Sequence, residues 1–526
     1  MPKVLVSDAL SETAVNIFKE RGVDVTFEPK LGKDKEKLMS MIGEFDGLAV
    51  RSATKATAAL IDAGKNLKVI GRAGIGVDNV DIPAATAAGI VVMNTPYGNA
   101  ITTAEHAIAM MFAVARKIPQ ANESTHAGKW EKSKFVGTEL YGKTLGVVGC
   151  GNIGGIVAER AIGLKMRVAA YDPFLTDVRA VELGVDKVSL DELLARADVI
   201  TLHTPLTDQT RNILSKEALS KTKKGVMIVN CARGGLLDEA ALKEGLDSGH
   251  IGAVGLDVYE VEPATEHPLF GHERVVATPH LGASTAEAQE NVAIQVAEQM
   301  ADYLTRGAVT NALNMPSISA EEAPRLKPFI TLAEKLGAFG GQLTGSSIKA
   351  IEVVYSGGVA KLNTRPLTAS AVAGVLRPML AEVNIVNAPV VAKERGVAIA
   401  ETYRDDADNF ESTIRLRIVT ENNDRTLTGA LFGAIPRIVE IKGVQMEASF
   451  SNNMLYVTND DKPGFIGDLG RTLAEASVNI ATFNLGRSAP GEDAIALLAV
   501  DEPVSENVLE RVRKVAHVRK AQALAF

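Results

Sequence analysis

The sequence predicts an α/β chain with two doubly wound parallel sheets, followed by two smaller units that mix helix and strand in other orders. Three observations predict it. Short apolar runs alternate with amphipathic helical stretches over the first ninety-odd residues. A second series of the same kind opens at Thr144, where a strand runs into a glycine-rich turn and a helix. The last seventy-odd residues read strand, helix, strand, strand, helix, strand. Strands and helices in strict alternation imply crossover connections and therefore parallel sheets.

In the first series, residues 3–7, 23–27, 47–50, 68–70 and 91–94 have the continuous apolar character of strands covered on both faces. Residues 11–21, 57–63 and 82–88 are the helices between them. Ligands of such sheets lie beyond the carboxyl ends of the strands, which makes Arg51 and Arg72 candidate substrate contacts. Thr102 and Glu105 have capping-box spacing and are read as opening a nearly uncharged helix that ends at Arg116. A helix apolar on so many sides is buried, here between two lobes. The second series runs to His280, and residues 285–306 form a helix that returns the chain to the first lobe, leaving a cleft between the two. Residues 314–317 read as a linker. Beyond it, residues 317–452 mix strand-like runs (348–355, 413–419) with helices and carry no chemical motif. The terminal βαββαβ order is that of a small ferredoxin-like unit.

A length of 526 residues leaves room for three or four domains of about 150 residues each. No apolar run approaches the roughly 20 residues that span a bilayer, and the chain opens directly on a strand rather than on a charged-then-apolar leader. With 56 basic and 64 acidic residues the net charge is -8, which is not the electrostatic footprint of a nucleic-acid binder. The two cysteines, Cys150 and Cys231, belong to no CxxC or Cys/His cluster; this argues against a disulfide framework and a metal site and fits the cytoplasm.

The sharpest local signal is Gly149-Cys150-Gly151-Asn152-Ile153-Gly154 after the strand at 144–148. Gly149 permits the tight turn, Gly151 lets backbone approach a pyrophosphate, and Gly154 lets helix and strand pack closely. Asn152 and Ile153 begin the helix whose positive end attracts the anion. A second strand ends at Asp172, where a carboxylate accepts hydrogen bonds from ribose hydroxyls and repels a 2′-phosphate. The pattern favours NAD over NADP. Three polar groups then follow strands of the second series: Arg233 after 226–230, Glu262 beyond 252–256, and His280 after 274–277. Oxidising a secondary alcohol needs a base near neutrality, which His280 supplies. A carboxylate to support the imidazolium fits Glu262, and a forked cation for a substrate carboxylate fits Arg233. The remaining histidines have plainer readings: His106 packs within its helix, His267 and His272 lie in loops, and His203 belongs to the cofactor-side loop.

Gly149 to Gly154, Asn230 to Gly235, Asp257 to Pro263 and Thr278 to Gly282 together resemble the signatures of the D-isomer-specific 2-hydroxyacid dehydrogenases over about residues 1–315. The resemblance implies Arg233 as carboxylate binder, Glu262 as histidine partner and His280 as acid/base. It also implies that Ile75, Thr204, Cys231, Ala232, Asp257 and Gly282 line the dinucleotide. The loop Arg72 to Asp81 is similar to the phosphoglycerate-specific branch of that family. Its Gly74 and Gly76 are expected to offer free N–H groups to a carboxylate, Asn99 to stand at a helix start, and Arg51, Arg72 and Lys134 to supply cations for a phosphate. The tail of about 210 residues resembles the long members of that branch, which add an intervening domain and a regulatory ACT domain.

The implied division is a discontinuous substrate lobe (1–98 and 283–315), an NAD lobe (99–282), an intervening domain (316–452) and an ACT domain (453–526). The implied activity is oxidation of 3-phosphoglycerate at the head of serine synthesis, in a homodimer or homotetramer. Serine is expected to act as effector at Asn459, Asp461 and Asn479. Two rivals follow from the same residues: a hydroxypyruvate or glyoxylate reductase, and a non-enzymatic dinucleotide-sensing corepressor that shares the fold but carries no ACT tail.

Overall fold

In the computed structural model, which describes all residues 1–526, the five apolar runs of the first series form one parallel sheet. Its strands are Lys3–Val6, Asp24–Phe27, Gly47–Val50, Val69–Arg72 and Val91–Met93, paired in the order second, first, third, fourth, fifth. The second series forms a seven-stranded parallel sheet ordered 3-2-1-4-5-6-7 by its own chain order, with the switch point beside Thr144–Val148. Each sheet directs its carboxyl edge toward the other. Helix Ala286–Arg306 returns across the first sheet, where Val292, Val296 and Met300 are buried against the strands.

The bridging helix departs from expectation at its start. It begins at Ala100 behind Asn99, and Thr102 and Glu105 lie within its first turns. The capping box does not form because its members have other partners: the Thr102 hydroxyl faces Thr285 (3.4 Å), and Glu105 pairs with Arg160 across to the glycine-loop helix (3.3 Å). A helix at Lys35–Met41, capped by Asp34, carries too little apolar pattern to have been read from sequence. The expected linker is also tied down. Asn314 accepts from Val92 N–H (2.9 Å) and donates to Ile90 C=O (2.8 Å) and Thr86 (3.0 Å), so it closes the edge of the first sheet.

Beyond it, helices Ala323–Gln342 and Arg365–Leu376 cover one face of a six-stranded mixed sheet of order 2-1-3-4-5-6, in which only the first two strands are parallel. The last unit is a four-stranded antiparallel sheet of order 2-3-1-4 with two helices on one face. Its other face, including Met454, Tyr456, Ile495, Leu497 and Leu524, joins the core of the preceding unit and of the first lobe.

Candidate active site

The strand Thr144–Val148 is wholly buried and delivers the chain to Gly149, whose φ of +90° and closeness to the His203 carbonyl (2.7 Å from an added Cβ) admit no side chain. Gly154 lies directly on the Gly149 carbonyl, so the helix Asn152–Gly163 starts hard against the strand, while the space over Gly151 is open. Asp172 stands beside this turn. One carboxylate oxygen accepts from Cys150 N–H (2.8 Å) and the other from Phe174 N–H (2.7 Å), which fixes its orientation. On the neighbouring loop the Thr204 hydroxyl and His203 Nδ1 are buried with no partner in the protein. An open glycine cradle, an oriented carboxylate and unpaired polar atoms beside them fit a dinucleotide.

Beyond the strand Ile251–Leu256, the chain brings His280 to Glu262. His280 Nδ1 donates to Glu262 Oε2 at 2.7 Å, and Glu262 Oε1 accepts from Tyr259 N–H at 3.0 Å. Nε2 is therefore left as the basic nitrogen. His280 has φ +55°, a left-handed conformation that needs outside restraint. Asp257 supplies it: its carbonyl accepts from His280 N–H (2.8 Å), and its carboxylate from Leu281 N–H (2.7 Å), Gly282 N–H (2.8 Å) and the Thr278 hydroxyl (2.6 Å). This carboxylate has no exposed surface, and both of its oxygens are engaged by the loop. Burial raises its pKa, but hydrogen bonds from His106, Thr278 and Leu281 outweigh that and hold it below the usual carboxylate range. His106 therefore does more than pack within its helix, since its ring reaches Asp257 at 3.2 Å. Cys231 is buried beside them and Ala232 is half-buried.

Arg233 crosses the cleft. Its Nε pairs with Asp78 of the first lobe (3.0 Å), Nη1 donates to the Ala232 carbonyl (2.7 Å), and Nη2 lies so close to Gly76 that an added Cβ would meet it at 1.6 Å. Asp78 lay within the loop read from sequence but had no role there. The Gly74 N–H is not free as expected, because it donates to the Thr95 hydroxyl at 2.6 Å; the Ile75 and Gly76 N–H groups have no protein partner. Arg72 lies beside the same loop with a buried, unpaired Nε. Burial first, then the charges of Arg233 and Arg51, push it down to about 10, against the opposing pull of Asp78 and Asp8. Arg51 is anchored by its N–H on Asp8 (2.6 Å) and by its guanidinium on the Ala9 carbonyl (3.1 Å). Asn99 is buried at the start of the bridging helix with its Oδ1 unpaired. Lys134 does not join the group: it sits on an exposed turn with Glu131, over the Phe135 ring.

In the tail, Asn459 is buried and donates to the Asp460 carbonyl (2.9 Å), while Asp461 accepts from Arg487 and from Gly491 N–H (2.9 Å each). Asn479 donates to Asp501 (2.6 Å). The strand register pairs Ile480 with Val500 but Arg487 with Ala494, so Asn479 and Asp461 stand at opposite ends of the sheet, about 20 Å apart at 3.3 Å per residue. One copy of the chain does not bring these residues together.

With this geometry in view, the likeness to known proteins is specific. Residues 108–282 match the D-isomer specific 2-hydroxyacid dehydrogenase NAD binding domain. Residues 325–442 match the D-3-phosphoglycerate dehydrogenase intervening domain and residues 453–517 the ACT domain. D-3-phosphoglycerate dehydrogenase of Archaeoglobus fulgidus is 44% identical over 97% of this chain and 98% of its own length, and that of Synechocystis 43% over 99% and 94%. The chain belongs to the D-3-phosphoglycerate dehydrogenase family. It is an NAD-dependent oxidoreductase with an ACT domain at its carboxyl end. Shorter relatives share the two lobes alone. A glyoxylate reductase from Paecilomyces thermophila (33% identity, TM-score 0.55) covers 59% of this chain and 98% of its own. A D-lactate dehydrogenase from Escherichia coli (30%, TM-score 0.52) covers 60% and 100%. No helix is long and apolar enough to cross a membrane.

Proposed function

We propose that the chain oxidises 3-phosphoglycerate to 3-phosphohydroxypyruvate, the step that opens the phosphorylated route to L-serine. The observation that carries this reading is the convergence of Arg51, Arg72 and Arg233 on one cleft, where burial first, and then the charges of Arg233 and Arg51, push Arg72 down to about 10. A monoanionic acid such as lactate has use for one of these cations; an acid with a carboxylate and a phosphate has use for all three. The substrate carboxylate lies on Arg233 Nη2 and the Ile75 and Gly76 N–H groups, and the phosphate on Arg51 and Arg72. His280 Nε2 takes the C2 hydroxyl proton, and Glu262 stabilises the imidazolium through Nδ1. Bound NAD supplies the hydride acceptor. Gly149, Gly151, Gly154, Asn152 and Ile153 hold its pyrophosphate, Asp172 its ribose, and Thr204, Cys231 and Ala232 flank its nicotinamide half. The Asp78–Arg233 pair links the lobes as they close, which excludes water from the reacting centre.

The working unit in this reading is a homodimer or a homotetramer, in the cytoplasm, where two free cysteines persist. The ACT strand Ile480–Arg487 leaves its outer backbone groups without ladder partners along 480–485. Antiparallel pairing of two such edges brings Asn479 of one copy to the Asp461 end of the other, and a serine bound there couples the tail to catalysis. The test is NADH formation from 3-phosphoglycerate, D-glycerate and D-lactate, with and without serine. Turnover confined to the phosphorylated acid and suppressed by serine is the expected result. Equal turnover of the three acids would instead make this a general 2-hydroxyacid dehydrogenase.

A further inference from the structure

We propose that His106 is a positioning residue for His280, acting from the bridging helix through the buried Asp257 carboxylate. This rests on the acid/base reading of His280 above. His106 is a third of the way along Ala100–Arg116, a helix that packs against all three strands feeding this site, Val226–Asn230, Ile251–Leu256 and Val275–Ala277. Its Nε2 lies 3.2 Å from Asp257 Oδ1 and 3.4 Å from the Thr278 hydroxyl, with 19% of the side chain exposed.

Asp257 is the only tether of the Thr278–Gly282 loop that reaches several of its groups at once. The Asp257 backbone carbonyl accepts from His280 N–H, and its carboxylate accepts from the N–H groups of Leu281 and Gly282 and from the Thr278 hydroxyl. A carboxylate with no exposed surface keeps that geometry only while charged, because a protonated oxygen donates where it must now accept. The Thr278 hydroxyl and the two amides contribute dipoles. His106 is the one ionisable donor among its partners, and it comes from a separate element rather than from the loop being held.

Two other titratable groups adjoin them: Tyr259, whose hydroxyl donates to the Thr278 carbonyl (3.0 Å), and Cys231, whose sulfur lies within 4.8 Å of both the His106 and the Asp257 ligand atoms. His106, Cys231 and Asp257 have the donor types of a metal site. Oδ1 of Asp257, the oxygen nearest His106, already accepts from Thr278 and Leu281, so the arrangement is read as a hydrogen-bond relay instead. The relay has a mechanical consequence. His280 sits in a left-handed conformation that an unrestrained histidine leaves, and a shift of about 1 Å in its Nε2 costs as much as a hundredfold in proton transfer.

The test compares His106→Gln, His106→Asn and His280→Ala in the full-length enzyme, with kcat, both KM values and thermal unfolding measured for each. Glutamine places an N–H donor near the position of Nε2; asparagine is one carbon too short. The expected result is a kcat loss of about tenfold to a hundredfold in His106→Asn. Both KM values and the unfolding temperature should stay near wild type, and His106→Gln should recover most of the rate. Wild-type kcat in His106→Asn, or equal loss in both variants, overturns the positioning role. Undiminished turnover in His280→Ala instead overturns the acid/base reading on which it rests.

Discussion

In the proposed function, substrate choice turns on Arg72. It lies in the cleft beside two other guanidiniums, so a dianionic phosphate arriving there relieves repulsion already present. Arg72→Leu is expected to raise the KM for 3-phosphoglycerate by about tenfold to a hundredfold, the value of one charge-assisted hydrogen bond. D-Glycerate turnover should change little, and steady-state kinetics on both acids check the difference. Cys150 makes the opposite kind of case, a residue at a functional loop that is chemically quiet. Burial, and then the Asp172 charge, push its thiol up to about 11, and the thiolate is the reactive form. Iodoacetamide at neutral pH is expected to leave Cys150 unlabelled in the folded enzyme. Peptide mass spectrometry should find modification only as the pH approaches 11. Among the site residues, Arg233, Glu262 and His280 were legible in the sequence because each follows a strand that ends at the same sheet edge. Asp78 and His106 were not, because each acquires its meaning from a partner on a distant element, 155 residues away in the Asp78–Arg233 pair and 172 between His106 and Thr278. No local pattern records such a meeting.

The parallel strands were legible because burial on both faces demands an apolar side chain at almost every position, as in Gly47–Val50 and Val91–Met93. Helix starts were less so, since a capping pattern competes with tertiary partners. Glu105 is three residues beyond where a capping box behind Asn99 would have used it, and it pairs with Arg160 instead. The intervening domain gave few signals because its sheet mixes parallel and antiparallel strands, so no single alternation runs along it. Helix Ala323–Gln342 shows what that packing does. Phe339 is fully buried on it, edge-on to Tyr456 of the last sheet (5.9 Å, 86°) and stacked near Phe526 (6.2 Å). This one ring therefore contributes to two units at once. Phe339→Ala is expected to lower unfolding free energy by about 3–5 kcal/mol through lost burial and the cavity left behind. Urea unfolding should show the loss in a transition shared by both units; a shift confined to one of them would count against a common core.

At the scale of the whole molecule, the intervening domain reaches the substrate lobe at a position suited to influence it. Asn387 donates to the carbonyls of Ala87 (3.0 Å) and Glu382 (3.1 Å), and Asn384 packs against Gly89. Ala87 ends the short helix Ile82–Ala87, and Asp81 caps its other end immediately after the loop that holds Ile75, Gly76 and Asp78. A helix of six residues moves as a unit, so displacement at its carboxyl end is carried to the loop that contacts Arg233. If an effector in the tail regulates the enzyme, this contact is where its signal is expected to enter the substrate lobe. Asn387→Ala removes three side-chain hydrogen bonds, of which only the one to Ala87 joins the two units; that one is worth about 1 kcal/mol, or roughly fivefold in a local opening equilibrium. Hydrogen exchange at the Ala88, Gly89 and Ile90 amides, which close the end of that helix, should quicken by about that factor. The rate on 3-phosphoglycerate without serine should remain near wild type, and the serine concentration giving half inhibition should rise by a similar factor, since coupling between two sites is limited by the contact that carries it. Faster exchange with an unaltered serine response would mean that the signal travels by another contact between the domains; unaltered exchange would mean that the asparagine pair does not hold this helix at all.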